Sequence, residues 1–197
     1  MNMNKTFYKV VKAILKIIFR ILFRIEVIGD NKQGEGPIML CSNHISDLDP
    51  IILGLTYNKP IHYMAKKELF KNPVFGWLIT KAGAFPVDRE NMDLSRIKYA
   101  MGILRNEEVL GVFPEGTRVK NVDIANMKEG VGLIASKSNA DIQPVFIDTD
   151  YKLFKKIKVH YRPMIQTELF KDVPKKEKGK VITKELFESI YDKKELA

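Results

Sequence analysis

The 197-residue sequence predicts an α/β domain, with a mostly parallel central sheet flanked by helices and preceded by an amphipathic N-terminal helix. Three observations predict it. Beyond residue 30, short apolar runs alternate with helical patterns, the order that builds parallel strands joined by crossover helices. Apolar residues make up 45 % and charged residues 29 %, a globular rather than a disordered balance. The length suits a single core.

The first element is the helix. Residues 5–24 carry Lys5, Lys9, Lys12, Lys16, Arg20 and Arg24, spaced three or four apart, with bulky apolar residues between them. At about 100° per residue these charges fall on one face. Between Lys9 and Arg24 no uncharged run exceeds three residues, so neither a membrane span nor a secretory h-region fits. An amphipathic helix lying on a membrane surface does fit. Its ammonium and guanidinium groups would sit at phosphate headgroups, with Phe7, Ile14, Ile18 and Leu22 in the acyl boundary. Packing as a core helix is the alternative, and it needs a partner around two thirds of the circumference.

Charge distribution supports an anionic partner. Net charge is +9. Residues 1–30 hold six Lys/Arg against Glu26 and Asp30, and residues 152–180 hold ten against Glu168, Asp172 and Glu177. No nucleic-acid recognition motif accompanies these charges, and aliphatics between the basic residues favour anionic lipid.

Apolar runs at Pro37–Ser42, Ile61–Ala65, Ala84–Val87, Val109–Phe113, Ile142–Asp148 and Lys158–Arg162 read as strands. Helical patterns cover Asp49–Tyr57, Pro73–Lys81, Asp93–Asn106, Lys128–Asn139 and Val181–Tyr191. Lys171–Lys180 reads as a charged connector, by default a solvated loop and alternatively a second membrane contact. The one cysteine, Cys41, excludes an internal disulfide and fits a reducing compartment as a buried, inert thiol.

In such folds, chemistry gathers at the carboxyl ends of strands. After the first strand comes Asn43-His44-Ile45-Ser46-Asp47-Leu48-Asp49. Asp49 is placed to accept a hydrogen bond from one imidazole nitrogen of His44, leaving the other free to take a proton. A capping Asp beside an unrelated surface His is the plainer reading. After the fourth strand comes Phe113-Pro114-Glu115-Gly116-Thr117-Arg118. Here Pro and Gly hold a turn, and Arg118 offers a planar fork suited to phosphate. An ordinary turn with a surface ion pair is its plainer reading. Gly83-Ala84-Phe85-Pro86-Val87-Asp88-Arg89 also ends on an arginine. His62 and His160 lie in predicted strands without a ligand cluster, so no metal is expected.

In this order, Asn-His-x-Ser-x-x-Asp, Gly-x-Phe-x-x-x-Arg, Phe-Pro-Glu-Gly-Thr-Arg and a late strand Ile142-Gln143-Pro144-Val145-Phe146-Ile147 resemble the glycerolipid acyltransferase family. More narrowly, they resemble its bacterial 1-acyl-sn-glycerol-3-phosphate acyltransferases. The resemblance covers about residues 35–150. It implies His44 as catalytic base and Asp49 as its partner. It further implies Glu115, Gly116, Thr117 and Arg118, Gly83, Phe85 and Arg89, and Lys66 as the groups that hold a phosphate-bearing acceptor, with Asn43 and Ser46 shaping the turn. It implies lysophosphatidic acid as acceptor and an acyl-carrier-protein or coenzyme A thioester as donor, with no cofactor. The division expected is a membrane-association segment over 1–30, a catalytic domain over 31–170 and a charged connector with a C-terminal helix over 171–197. The implied place is the cytoplasmic face of the cell membrane, held peripherally or monotopically. Other readings that these motifs leave open are a different lysolipid or glycerol-3-phosphate as acceptor, a thioesterase, and a non-catalytic lipid-binding protein.

Overall fold

The computed structural model describes residues 3–31, 35–88, 94–119 and 121–192. Seven strands form one sheet: β1 (Arg24–Ile28), β2 (Ile38–Ser42), β3 (Ile61–Lys66), β4 (Ala84–Val87), β5 (Val109–Val112), β6 (Asp141–Asp148) and β7 (Lys156–Tyr161). Their order is β1-β7-β6-β2-β5-β3-β4. All neighbours are parallel except β6 and β7. Six α-helices accompany them: α1 (Lys5–Leu22), α2 (Asp49–Thr56), α3 (Pro73–Lys81), α4 (Leu94–Arg105), α5 (Gly130–Ser138) and α6 (Lys175–Tyr191).

The central strands β2 and β5 are buried along their whole length, as strands covered on both faces must be. On one face, Phe19 and Phe23 at the end of α1 and Ile52, Leu53 and Tyr57 around α2 pack on Leu40, Val145, Ile147 and Val159. On the other, α4, α5 and α6 bring Leu104, Ala135, Ile182, Leu186 and Ile190 against Met39, Leu110 and Ile142.

Two elements depart from the sequence expectation. Arg24 does not continue the basic helix. α1 ends at Leu22, Phe23 turns extended, and Arg24 opens β1, which pairs with β7 from Arg24↔Lys156 to Ile28↔His160. Much of β1 is exposed, so it carries no apolar run to reveal it. α6 begins at Lys175, so half of the expected connector is helix. Its first turns are charged, and only the later Ile182, Leu186 and Ile190 show a core-facing period. Arg24–Ile28 joins the sheet and Lys175–Tyr191 packs in the core, so both belong to the same α/β body.

α1 has three faces rather than two. Tyr8, Phe19 and, partly, Leu15 and Leu22 turn inward. Lys12 also turns in, donating to the Tyr57 carbonyl oxygen at 2.5 Å, and burial lowers the pKa of its ammonium. Val10, Ile14, Ile17, Ile18 and Ile21 remain exposed. Of the four apolar residues expected at lipid, Ile14 and Ile18 are exposed, whereas Phe7 and Leu22 are half-buried. Among the described residues, no helix is long and apolar enough to cross a membrane.

Candidate active site

β2 delivers the chain to the carboxyl edge of the sheet, and Asn43 holds it there. The Asn43 side chain accepts from the Ile147 amide at 2.7 Å and donates to the Ile147 carbonyl at 3.0 Å, adding a rung beyond the β2–β6 ladder. The chain then turns into α2, whose first residue is Asp49. Asp49 is fully buried. Its Oδ2 accepts from His44 Nδ1 at 2.8 Å and from the amides of Ile45 and Ser46, each at 2.7 Å. Its Oδ1 accepts from the Tyr151 hydroxyl at 2.5 Å. Every contact is a donor, the arrangement that suits a carboxylate, and the helix N-terminus favours the same charge. Ser46 Oγ accepts from the Leu48 amide at 3.2 Å, so Ser46 shapes the turn as expected.

With Nδ1 on a carboxylate, Nε2 of His44 is the nitrogen that can take a proton. The imidazole stacks on Phe113 with ring centroids 4.2 Å apart, and Tyr63 stacks beyond it. Phe113 follows β5, so the two central strands deliver the histidine and the ring that supports it.

The loop after β5 closes on the same place. Val119 N donates to the His44 carbonyl oxygen at 3.0 Å, which ties the two motifs together. Gly116 turns the chain with φ of +69°, a conformation open to glycine at no steric cost. Thr117 and Arg118 are exposed, and Arg118 Nη1 donates to Asp47 Oδ2 at 2.6 Å. The guanidinium therefore sits over the His44–Asp49 turn. Glu115 behaves differently from its neighbours. It is buried, takes a hydrogen bond from the Tyr191 hydroxyl, and has its second oxygen buried without a hydrogen-bond partner. Burial raises its carboxyl pKa, and the Tyr191 bond opposes the shift. Its side chain ties the loop to α6.

The remaining expected residues are spread out. Lys66 ends β3 at the carboxyl edge, exposed and 3.8 Å from Glu68. Gly83 lies at the opposite edge, before β4, with φ of +99° and so close to the Ile61 carbonyl that a Cβ would sit 3.0 Å from its oxygen. Phe85 is 1 % exposed and meets Tyr99 edge-on in the core. Gly83 fits close against β3, and Phe85 is packed in the core. Arg89 lies outside the described residues. Cys41 is buried, and burial pushes its thiol pKa well up, as expected for an inert thiol. His62 meets Glu108 at 3.3 Å, and His160 is buried beside Phe146.

Tyr151 is the site residue that sequence reasoning missed. It lies 102 positions from Asp49, in a loop with no motif. Its φ is +53°, and its amide donates to Thr149 Oγ1 at 3.0 Å. Its ring meets Phe23 edge-on, at the end of α1. Burial, then the adjacent Asp49 carboxylate, push its phenol pKa far up, so it stays a donor. Tyr151→Phe keeps the ring and loses this donor. It is expected to lower kcat about tenfold with little change in KM. A lower Tm with an unchanged kcat would reduce Tyr151 to a packing role.

Comparisons with known proteins agree with this geometry. The acyltransferase family profile matches residues 24–148. The 1-acyl-sn-glycerol-3-phosphate acyltransferase of Bacillus subtilis (strain 168) is 35 % identical over 195 residues, covering 94 % of this chain and 96 % of that protein. The enzyme of the same name from Streptococcus pneumoniae is 41 % identical over 109 residues, 54 % of this chain and 40 % of that one. The crystal structure of the 1-acyl-sn-glycerophosphate acyltransferase PlsC from Thermotoga maritima superposes with a TM-score of 0.75 at 22 % identity, covering 96 % of this chain and 79 % of that chain, and so shares its fold. Matched by the family profile over residues 24–148 and by the Bacillus subtilis enzyme over 94 % of its length, this chain belongs to the acyltransferase family.

Proposed function

We propose that the protein is a 1-acyl-sn-glycerol-3-phosphate acyltransferase, which moves an acyl group from a thioester of acyl carrier protein or coenzyme A to the sn-2 hydroxyl of lysophosphatidic acid. The observation that carries this reading is the junction of the two motifs: His44, oriented by Asp49, lies under the loop that carries Arg118. His44 Nε2 takes the hydroxyl proton as the oxygen attacks the thioester carbonyl. The C–O bond forms, the C–S bond breaks, and the thiolate leaves and is reprotonated from the imidazolium. Asp49 stabilises that imidazolium while it lasts. Arg118, with Lys66 and Arg89, holds the acceptor phosphate, and positioning of this kind is worth up to roughly 7–11 kcal/mol of a barrier in the best cases.

The test is transfer by the purified protein in vesicles holding lysophosphatidic acid, with labelled acyl donor. Label in phosphatidic acid is the expected result. Free labelled fatty acid would mean that water is the acceptor and the protein is a thioesterase. Turnover only with glycerol-3-phosphate or another lysolipid would change the acceptor.

Arg118 is 57 % exposed on its side chain, so replacing it costs little stability. Arg118→Ala is expected to raise the acceptor KM by tenfold or more through loss of a charge-assisted phosphate contact. Acceptor kinetics equal to those of the parent protein would remove Arg118 from the site.

We further propose that the enzyme works on the cytoplasmic face of the cell membrane, held by α1 against anionic lipid, where its amphiphilic acceptor resides. Deleting residues 1–24 would strip Phe19 and Phe23 from the core, so a point change is the cleaner test. Ile17→Asn with Ile21→Asn alters two exposed residues. It is expected to weaken vesicle co-sedimentation about tenfold or more while leaving Tm unchanged. Unaltered sedimentation would mean that this face does not meet lipid.

A further inference from the structure

We infer that α3 forms a second lipid-facing surface, continuous with that of α1, with Trp77 at the headgroup boundary of a membrane carrying anionic lipid. This rests on the membrane-surface reading above.

α3 reads Pro73-Val-Phe-Gly-Trp-Leu-Ile-Thr-Lys81 and carries no charge before its last residue. It is firmly specified: Asn72 Oδ1 caps the amides of Val74 and Phe75 at 3.1 and 3.0 Å, and Pro73 opens its first turn. Exposure of its side chains is therefore not fraying. Yet Val74 is 77 % exposed and Trp77 55 %, and Phe75 and Leu78 are exposed with them. The residue buried is Gly76, where an added Cβ would come within 3.0 Å of the Phe70 backbone. The helix thus seats its small face on the protein and turns its bulky face away, the reverse of an ordinary surface helix. Leu69, in the preceding turn, extends the patch. Contiguous exposed apolar surface of this kind marks an interaction site.

Continuity and charge identify the occupant. Trp77 meets Phe7 of α1 edge-on at 5.5 Å, and the Asn4 amide donates to the Lys81 carbonyl oxygen at 3.2 Å. From Phe7 the exposed apolar row continues along α1 through Val10, Ile14, Ile17 and Ile21. Along α1 and from Leu69 to Lys81 the ionic residues are all basic, and the acidic groups at their margins are Glu68 and, 4.0 Å from Lys5, Glu108. No Asp or Glu occurs between Leu69 and Val87 or before Glu26, whereas Lys5, Lys9, Lys16, Arg20, Lys71 and Lys81 do occur there. A second copy of the chain seated on this face would bring lysines against lysines. An anionic bilayer instead satisfies the apolar and basic groups together, and tryptophan is suited to its interface.

Trp77 is the chain's one tryptophan, so intrinsic fluorescence reports on α3 without a label. The full chain is titrated with vesicles of mixed phosphatidylcholine and phosphatidylglycerol, with co-sedimentation followed in parallel. The expected result is a shift of Trp77 emission to shorter wavelength on binding, and quenching by lipids brominated in the acyl chains. Val74→Ser with Leu78→Ser, both at exposed positions, is expected to weaken binding about tenfold. If the protein sediments with vesicles while Trp77 emission stays unmoved and unquenched, α3 lies off the membrane and the inference fails, with α1 docking intact. An emission shift that follows protein concentration without lipid would assign the face to a second copy and overturn the inference. Failure to sediment at all would overturn it together with the membrane-surface reading.

Discussion

His44→Ala is expected to lower acyl transfer by about 10²–10⁴-fold, with Tm close to that of the parent protein. The reasoning is local. In the proposed reaction His44 is the proton acceptor, and its ring is also a stacking partner for Phe113. Removing the ring leaves Asp49 with three remaining donors, from Ile45, Ser46 and Tyr151, so the turn keeps its frame. Acceptor binding through Arg118 is also retained, so the loss falls on kcat rather than KM. Single-turnover rates and a thermal melt of the same preparation check both halves. A rate within tenfold of the parent protein would remove His44 as the base, since no other imidazole is near: His62 and His160 lie in β3 and β7 with their own surroundings.

Asp49→Asn is expected to cost kcat a comparable factor, about 10²–10⁴-fold, for a different reason. The amide can keep its carbonyl oxygen toward the Ile45 and Ser46 amides and turn its NH₂ to the Tyr151 hydroxyl, which then accepts. The shape of the turn survives, but the charge that stabilises the imidazolium is gone. Asp49→Ala would lose both, stranding buried donors at a cost of roughly 1–3 kcal/mol for each group left unpaired. The double variant His44→Ala with Asp49→Asn should be no slower than His44→Ala alone, because the two residues act as one unit. Additive losses would mean that Asp49 acts on something other than His44.

The legible parts of this molecule are those whose burial is written in local composition. β2, β5 and β6 are covered on both faces and read as apolar runs, and His44 and Asp49 are five positions apart, so one turn joins them. What stayed hidden depends on distant partners. β1 is recognisable only through β7, and Arg24 looked like one more charge on a basic helix. Lys12 has the spacing of a headgroup contact, yet its ammonium reaches the Tyr57 carbonyl. Tyr151 and Tyr191 belong to segments without motifs and become site residues when the fold brings their hydroxyls to Asp49 and Glu115. The motif Gly-x-Phe-x-x-x-Arg was legible as a motif, but the close fit of Gly83 against Ile61 and the burial of Phe85 depend on neighbours distant in sequence.

The pairing of β1 with β7 also sets an order of events in synthesis. Glu26 and its partner Lys156 are 130 positions apart. At 5–20 residues per second, a ribosome needs roughly 6–26 seconds to cover that interval. Until β6 and β7 are made, the inner face of α1 lacks Val145, Ile147 and Val159, which it will cover. On the membrane-surface reading proposed above, a nearby bilayer receives its apolar residues in that interval. The nascent chain would then be tethered before its catalytic body is complete, and closure of the sheet would draw Phe19 and Phe23 into protein while leaving the exposed isoleucines at lipid.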